Sequence, residues 1–320
     1  MSATEVNSHV VKGSAIPQFL ESHLRFWKAP SLADIRVDFP DACVDELDRW
    51  VAAGKPASQE GVTACRSLAN AIQLSLDTSP GLVLLDRVPV ERYSSEDSVA
   101  ISGLLAGMIA PLMGQDIRDT KLYSVIDAGH TDTSLVRKSK TNEAQPYHTD
   151  GGWFQPPAQY IGLFCVQAAE QGGLSQATSL ALAYQTLQQQ CDPQILDALT
   201  VEMPWNRQKE HLPHEPAWLM NPTFAVDENR FVGRFYKSYV TSGAKLAGVT
   251  LSDDQLSALE TLDQCISAQT ALEFMLEPGQ FQLVNNWTVV HARGAFEDDT
   301  TSQKVRHLVR VWMTREKQTS

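Results

Sequence analysis

Pro146-Tyr147-His148-Thr149-Asp150-Gly151-Gly152-Trp153 sets a histidine and a carboxylate two positions apart, directly ahead of a Gly-Gly pair. In an extended strand the side chains at i and i+2 share a face, so His148 and Asp150 point together while Thr149 points away. An imidazole beside a carboxylate supplies two ligands of a facial 2-His-1-carboxylate metal site, whose remaining positions stay open for substrate and O₂. Such a site needs a strand for the pair and a second strand, distant in sequence, for another histidine. The motif therefore asks for a β-rich core.

A lone His-x-Asp is a weak signal, and this chain carries it twice, the other copy being His130-Thr131-Asp132. With eight histidines in the chain, a surface or hydrogen-bonded histidine is the ordinary case for any one of them. Context separates the copies. His130 and Asp132 sit in a polar, Gly- and Thr-rich stretch that reads as loop. His148 and Asp150 precede a tight turn, aromatic and proline residues, and then the apolar run 160–169. The second copy is taken as the ligand pair. The partner is expected in Asn285-Asn286-Trp287-Thr288-Val289-Val290-His291-Ala292-Arg293, where His291 ends an apolar β-type run after the Pro278-Gly279 turn. Arg293 falls on the same face. His211 and His214 read as loop residues, and His9 and His23 have no acid two positions on.

Outward from these motifs, residues 122–126, 160–167, 281–285, 288–291 and 305–313 read as short strands, β-branched or aromatic and bounded by Gly, Pro, Asn or Asp. Helices are expected over about 179–199 and about 252–272. Residues 1–115 read as mainly helical. Amphipathic stretches cover 43–53 and 58–76, Ser31 is a candidate cap, and 94–113 opens on Ser94-Ser95-Glu96-Asp97. One β-like run at 81–86 interrupts them. The expected class is α+β, an antiparallel sandwich or barrel in a single domain over 1–320, with a helical part at 1–115 and a core with helical insertions at 116–315.

Composition narrows the partners. Hydrophobic residues make up 43% and charged residues 20%, an ordinary globular balance, and the formal charge is −12. A chain this acidic has no general electrostatic footprint for nucleic acid or an anionic membrane. Its longest apolar runs fall well short of the roughly 20 residues that span a bilayer. Residues 1–16 lack an apolar core, so a cytoplasmic protein acting on a small molecule is expected, with a homo-oligomer left open. Five scattered cysteines without a CxxC argue against a disulfide framework or a thiolate zinc site, and Cys165 reads as a core hydrophobe.

Arg306-His307-Leu308-Val309-Arg310-Val311-Trp312 is the second unusual stretch. On a strand Arg306, Leu308, Arg310 and Trp312 share one face. Both faces are largely apolar, which predicts burial on both sides. A guanidinium is costly to bury unpaired and matches a carboxylate in a bidentate fork. Two of them imply carboxylates nearby, from a ligand or from local acids such as Glu297 or Asp298.

Taken in order, the HxD, the Gly172-Gly173-Leu174-Ser175 segment, the distal HxR and the R-x-x-x-R resemble the taurine dioxygenase (TauD/TfdA) group over roughly residues 120–315. That group and its clavaminate-synthase-like members are Fe(II)- and 2-oxoglutarate-dependent oxygenases built on a double-stranded β-helix, or jelly roll. The resemblance implies that His148, Asp150 and His291 hold the iron. It implies that Arg306 and Ser175 hold the distal carboxylate of 2-oxoglutarate and that Arg310, with Trp153, meets the prime substrate. The gap from HxR to RxxxR is longer than in sulfonate-utilising members, and Ser175 stands where Thr is commoner. Asp150 stands where related halogenases carry a small residue, so halogenation is not expected.

The implied activity is hydroxylation or desaturation of a small amino acid or amino-acid-derived metabolite bearing a carboxylate. A sulfonate or aryloxyalkanoate substrate is the alternative within the same chemistry. A zinc hydrolase could use the same His/Asp/His set but leaves the arginine strand without a task. A non-catalytic anion-binding sandwich leaves the histidines idle.

Overall fold

The computed structural model describes residues 20–127, 141–227, 230–298 and 305–315. Its backbone is a seven-stranded sheet in the order Arg36–Asp38, Leu82–Asp86, Phe281–Asn285, Tyr160–Gln167, His307–Met313 and Leu112–Met113, with Leu122–Val125 also paired to His307–Met313. The central strands run antiparallel. Alternation along them divides two cores. Val83, Leu85, Phe164, Phe281, Leu283, Val309 and Val311 pack under Thr63–Thr78 and Ser95–Ile109. Leu82, Leu84, Ile161, Cys165, Val284, Leu308 and Trp312 face the other way, into a second core. A sheet covered on both faces makes its strands read as nearly unbroken apolar runs, which is why 160–167 and 305–313 were legible as buried strands.

The second core lies between this sheet and a four-stranded one, ordered Leu272–Phe274, Ser175–Ser179, Val289–Arg293 and Gln145–His148. Here His291 is the direct cross-strand partner of His148, and Arg293 is the partner of Ser175. One short sheet thus carries four of the residues singled out from sequence.

Several elements depart from expectation. Besides helices and the expected strand Leu82–Asp86, the first 115 residues contribute Arg36–Asp38 and Leu112–Met113 to the main sheet. Ser31 precedes a short 3₁₀ turn and makes no capping bond, whereas Ser94 accepts from the Asp97 amide at 3.0 Å. The helix expected over 179–199 is two, Leu180–Gln190 and Pro193–Thr200, because Pro193 cannot continue a helix but fits the first turn of a new one capped by Asp192. Between the insertions lie the antiparallel pairs Met203–Asn206 with Trp218–Asn221 and Phe224–Asp227 with Arg230–Gly233, then the helix Lys237–Ala247. None of these was anticipated. Among the described residues no helix is long and apolar enough to cross a membrane.

Candidate active site

His148 closes the strand Gln145–His148, and His291 sits in the middle of Val289–Arg293, so their pairing sets the two rings side by side, tilted by 51° with centroids 4.3 Å apart. Asp150 follows in a turn that Gly151 makes with φ +63°, where a Cβ would press on the Trp312 ring at 3.2 Å. At Gly152 a Cβ would meet the Trp205 ring at 2.6 Å, so both glycines are required by the close approach of indoles. One ligand atom from each of His148, Asp150 and His291 lies within 4.8 Å of the others, and all three residues are buried.

The hydrogen bonds prepare these groups for a cation. His148 Nδ1 lies 2.8 Å from the Pro146 carbonyl, which can only accept, so Nδ1 carries the proton and the lone pair is on Nε2, where a metal would take the place of the Gln145 amide. Nε2 is 3.4 Å from Asp150 Oδ1 and accepts from the Gln145 side-chain amide at 2.9 Å. Asp150 Oδ2 accepts from Trp312 Nε1 at 2.9 Å and lies 3.3 Å from Arg310 Nη1. Burial opposes the charge on Asp150, yet Arg310, together with His148 and His291, holds its carboxyl well below the usual carboxylate range. Burial, and then the neighbouring His148, push His291 down to about 3, so it is neutral as a metal ligand must be. Its Nδ1 is buried without a protein partner. A carboxylate and two neutral imidazoles on one side of a common point are the donor set of non-haem Fe(II), and they fit it.

Two cavities meet at this cluster. The inner one, about 470 Å³ with its open side, runs between the sheets past Ser175, Gln282, Arg293, Arg306 and Leu308. The Arg306 guanidinium lies 4.8 Å over the Phe296 ring, and its Nη1 is buried with no hydrogen-bond partner. Asp298, a sequence-level candidate for pairing it, accepts instead from the Arg306 backbone amide at 2.8 Å. Burial lowers Arg306 to about 10, and a guanidinium remains charged there at neutral pH. A buried cation with an idle donor, beside the Ser175 hydroxyl, fits the far carboxylate of a dicarboxylic co-substrate.

The outer cavity, about 390 Å³, is lined by Trp153, Gln208, Tyr236, Tyr239 and Trp312. Gln145, Asp150 and Arg310 border both spaces. Arg310 is 5.1 Å from the Tyr123 ring and 4.9 Å from the Trp312 ring. Its Nε donates to Gln115 Oε1 at 2.8 Å, while the Gln115 amide donates to the carbonyls of Arg310 and Lys121.

The structure therefore places His148, Asp150, His291, Arg306, Ser175 and Arg310 on the inner cavity and Trp153 on the outer one, with Asp150 and Arg310 bordering both. Several other aromatic and basic residues fall elsewhere. Trp205 and Phe235 are fully buried core, Arg234 is buried against the Phe154 and Pro222 carbonyls, and Lys237 pairs with Glu260 and Asp263. His130 and Asp132 lie outside the described residues. Sequence reading passed over Gln145, Gln115 and Asn286. Asn286 accepts from the Asp150 amide at 2.8 Å and donates to the Asp150 and Ala158 carbonyls at 3.0 Å each. Arg293 Nη2 donates to the carbonyls of Thr141 and Glu143, fastening the approach to the His148 strand.

Comparison with known proteins gives a consistent picture. The profile of the family described as "Taurine catabolism dioxygenase TauD, TfdA family" matches residues 59–312. FR-33289 synthase of Streptomyces rubellomurinus is 27% identical over 239 residues, 73% of this chain and 68% of that protein. The taurine hydroxylase-like protein SAT17 of Stachybotrys chartarum is 27% identical over 249 residues, 72% of this chain and 60% of that one. Among solved structures, asparagine oxygenase in complex with Fe(II), 2S,3S-3-hydroxyasparagine and succinate superposes with a TM-score of 0.67 at 16% identity, covering 88% of this chain and 94% of that one. The non-heme iron oxygenase OrfP in complex with Fe and alpha-ketoglutaric acid follows at 0.64 and 13%, with the same coverage.

Proposed function

Because this chain belongs to the TauD/TfdA family and is an Fe(II)- and 2-oxoglutarate-dependent dioxygenase, we propose that it hydroxylates a C–H bond of a small, carboxylate-bearing amino acid or amino-acid-derived metabolite. The facing sheets are read as the two sides of a double-stranded β-helix. In this reading His148, Asp150 and His291 hold the iron, Arg306 and Ser175 hold 2-oxoglutarate in the inner cavity, and the substrate enters the outer one. When bound, Fe(II) with 2-oxoglutarate and O₂ supplies the oxidising power to functionalise an unactivated C–H bond, the co-substrate leaving as succinate and CO₂.

The chain's own residues supply aim and enclosure. Asn286 fixes the backbone of Asp150, and Trp312 and Arg310 fix its side chain, so the carboxylate cannot swing away. Pro146 fixes the tautomer of His148. The indoles of Trp153 and Trp312 wall the outer cavity and exclude water from the reacting carbon. Arg310 carries the substrate assignment: it is a buried guanidinium at the seam of both spaces, able to turn a donor toward an anionic group beside the metal. Asparagine oxygenase and OrfP have been solved in complex with hydroxylated amino acids, 2S,3S-3-hydroxyasparagine and (3S)-hydroxy-L-Arg, and this chemistry is carried over here as part of the proposal.

The test is succinate release with Fe(II), 2-oxoglutarate and O₂ across a panel of amino acids and their derivatives, with mass spectrometry for an added oxygen. His148→Ala should abolish iron binding and turnover, and His130→Ala should leave both near wild type. The reverse result would show that the wrong His-Thr-Asp was chosen. Stimulation by sulfonates or aryloxyalkanoates alone would replace the substrate class and keep the chemistry.

A further inference from the structure

Gln282 stands in the strand Phe281–Asn285 and shares one cross-strand row with Leu84, Leu163, Arg310 and Tyr123. Its strand neighbour on the same face, Val284, is apolar core, as is Leu84 beside it. An amide is out of place there. The residue is 3% exposed, and its Oε1 is buried with no hydrogen-bond partner. Burying an amide without partners costs stability, and a leucine or methionine at this position would avoid that cost. Gln282 lines the inner cavity together with Ser175 and Arg306, and Arg306 Nη1, Arg293 Nε and His291 Nδ1 are buried partnerless atoms of residues lining the same space. Four residues lining one cavity carry a buried polar atom without a protein partner, and two of them are guanidinium cations. Gln282 Oε1 can only accept, but the NH₂ of the same amide donates to no protein atom among the described residues, and with the Arg306 guanidinium it suits a ligand bearing acceptor oxygens.

We propose that Gln282 is a further co-substrate-binding residue, its side-chain amide donating to a carboxylate oxygen of 2-oxoglutarate alongside Arg306 and Ser175. The inference rests on the assignment of the inner cavity to 2-oxoglutarate. It also accounts for an amide in an apolar row, since its NH₂ group has a co-substrate carboxylate to donate to.

The experiment is an anaerobic titration of the Fe(II)-loaded protein with 2-oxoglutarate, followed by the charge-transfer absorbance of the complex and paired with thermal unfolding of the metal-free protein. Gln282→Leu should weaken 2-oxoglutarate about ten-fold, the loss of one hydrogen bond to a charged group, with iron affinity unchanged. Its thermal midpoint should stay level or rise, since an unsatisfied polar group has been removed. Gln282→Glu should weaken 2-oxoglutarate further by setting a carboxylate against a dicarboxylate. Wild-type 2-oxoglutarate affinity in Gln282→Leu overturns the proposal. So does a fall in affinity that only tracks a fall in thermal midpoint, or a failure to fold shared by Gln282→Leu and Gln282→Met, either of which marks the amide as structural. No 2-oxoglutarate binding by the wild-type protein would sink the cavity assignment itself, and this inference with it.

Discussion

Arg306, just ahead of the strand His307–Met313, and Arg310 within it both line the inner cavity, yet their surroundings give them different work. Arg306 has an aromatic ring beneath it and no acid on its guanidinium, while Arg310 lies 3.3 Å from Asp150 and is hydrogen-bonded to Gln115. Substitution should separate them. Arg306→Met should weaken 2-oxoglutarate by about ten- to a hundred-fold, the value of hydrogen bonds to a charged group, and leave iron affinity near wild type. Arg310→Met removes the cation that keeps Asp150 ionised, so the proton competes with the metal at higher pH. The acid limb of iron binding should then move upward in pH, in addition to any loss of prime-substrate affinity. Iron and 2-oxoglutarate titrations between pH 5.5 and 8 read both effects, and identical behaviour of the two variants would refute the division of labour. The pair was legible in the sequence because charge in an apolar strand is conspicuous. Gln145, Gln115 and Gln282 were not, because a neutral amide carries no such signature and its role depends on what another strand brings opposite it.

At the scale of elements, the decisive piece is the turn between Phe281–Asn285 and Val289–Arg293, one strand from each sheet. Asn286 sits in that turn, fully buried, and spends its whole side chain on the backbone of Asp150 and Ala158. It therefore couples the strand that carries His291 to the turn that carries Asp150. Asn286→Ala strands one amide and two carbonyls in the core and should destabilise the fold by about 3 kcal/mol or more, at 1–3 kcal/mol for each unsatisfied group. Iron affinity should fall as well, because Asp150 loses its tether. Urea unfolding and metal titration of Asn286→Ala check both, and a variant as stable and as tight as wild type would show that the turn is held by other contacts. The strands around this turn were readable from their apolar runs. The pairs between 203 and 233 were not, since Met203–Asn206 and its neighbours are four-residue strands, one containing Pro204, stabilised by pairing and by packing on Lys237–Ala247 rather than by any local period.

Across the whole molecule, the N-terminal helix Glu21–Trp27 is tied to the four-stranded sheet through a buried histidine. His23 Nε2 lies 2.8 Å from Ser179 Oγ, and Ser179 in turn caps the helix Leu180–Gln190. Burial drives His23 down to about 3, against a smaller opposing effect of the Pro80 carbonyl. The folded state thus keeps the ring neutral where the unfolded chain, near 6.5, takes up a proton. Above pH 6.5 neither state is charged and stability is flat with respect to this group. As pH falls from 6.5 towards 3, the unfolded chain gains the proton first and stability is lost. At pH 5 the loss due to His23 is about 2 kcal/mol, at about 1.4 kcal/mol per unit. Asp150 and His291 act in the same direction, so the total acid slope alone cannot isolate His23. The difference between wild type and His23→Gln can. The variant should lose less stability than wild type between pH 7 and pH 5, by about 2 kcal/mol in chemical denaturation. Parallel pH profiles for the two proteins would mean that this helix can release His23 to solvent without unfolding the sheet it covers.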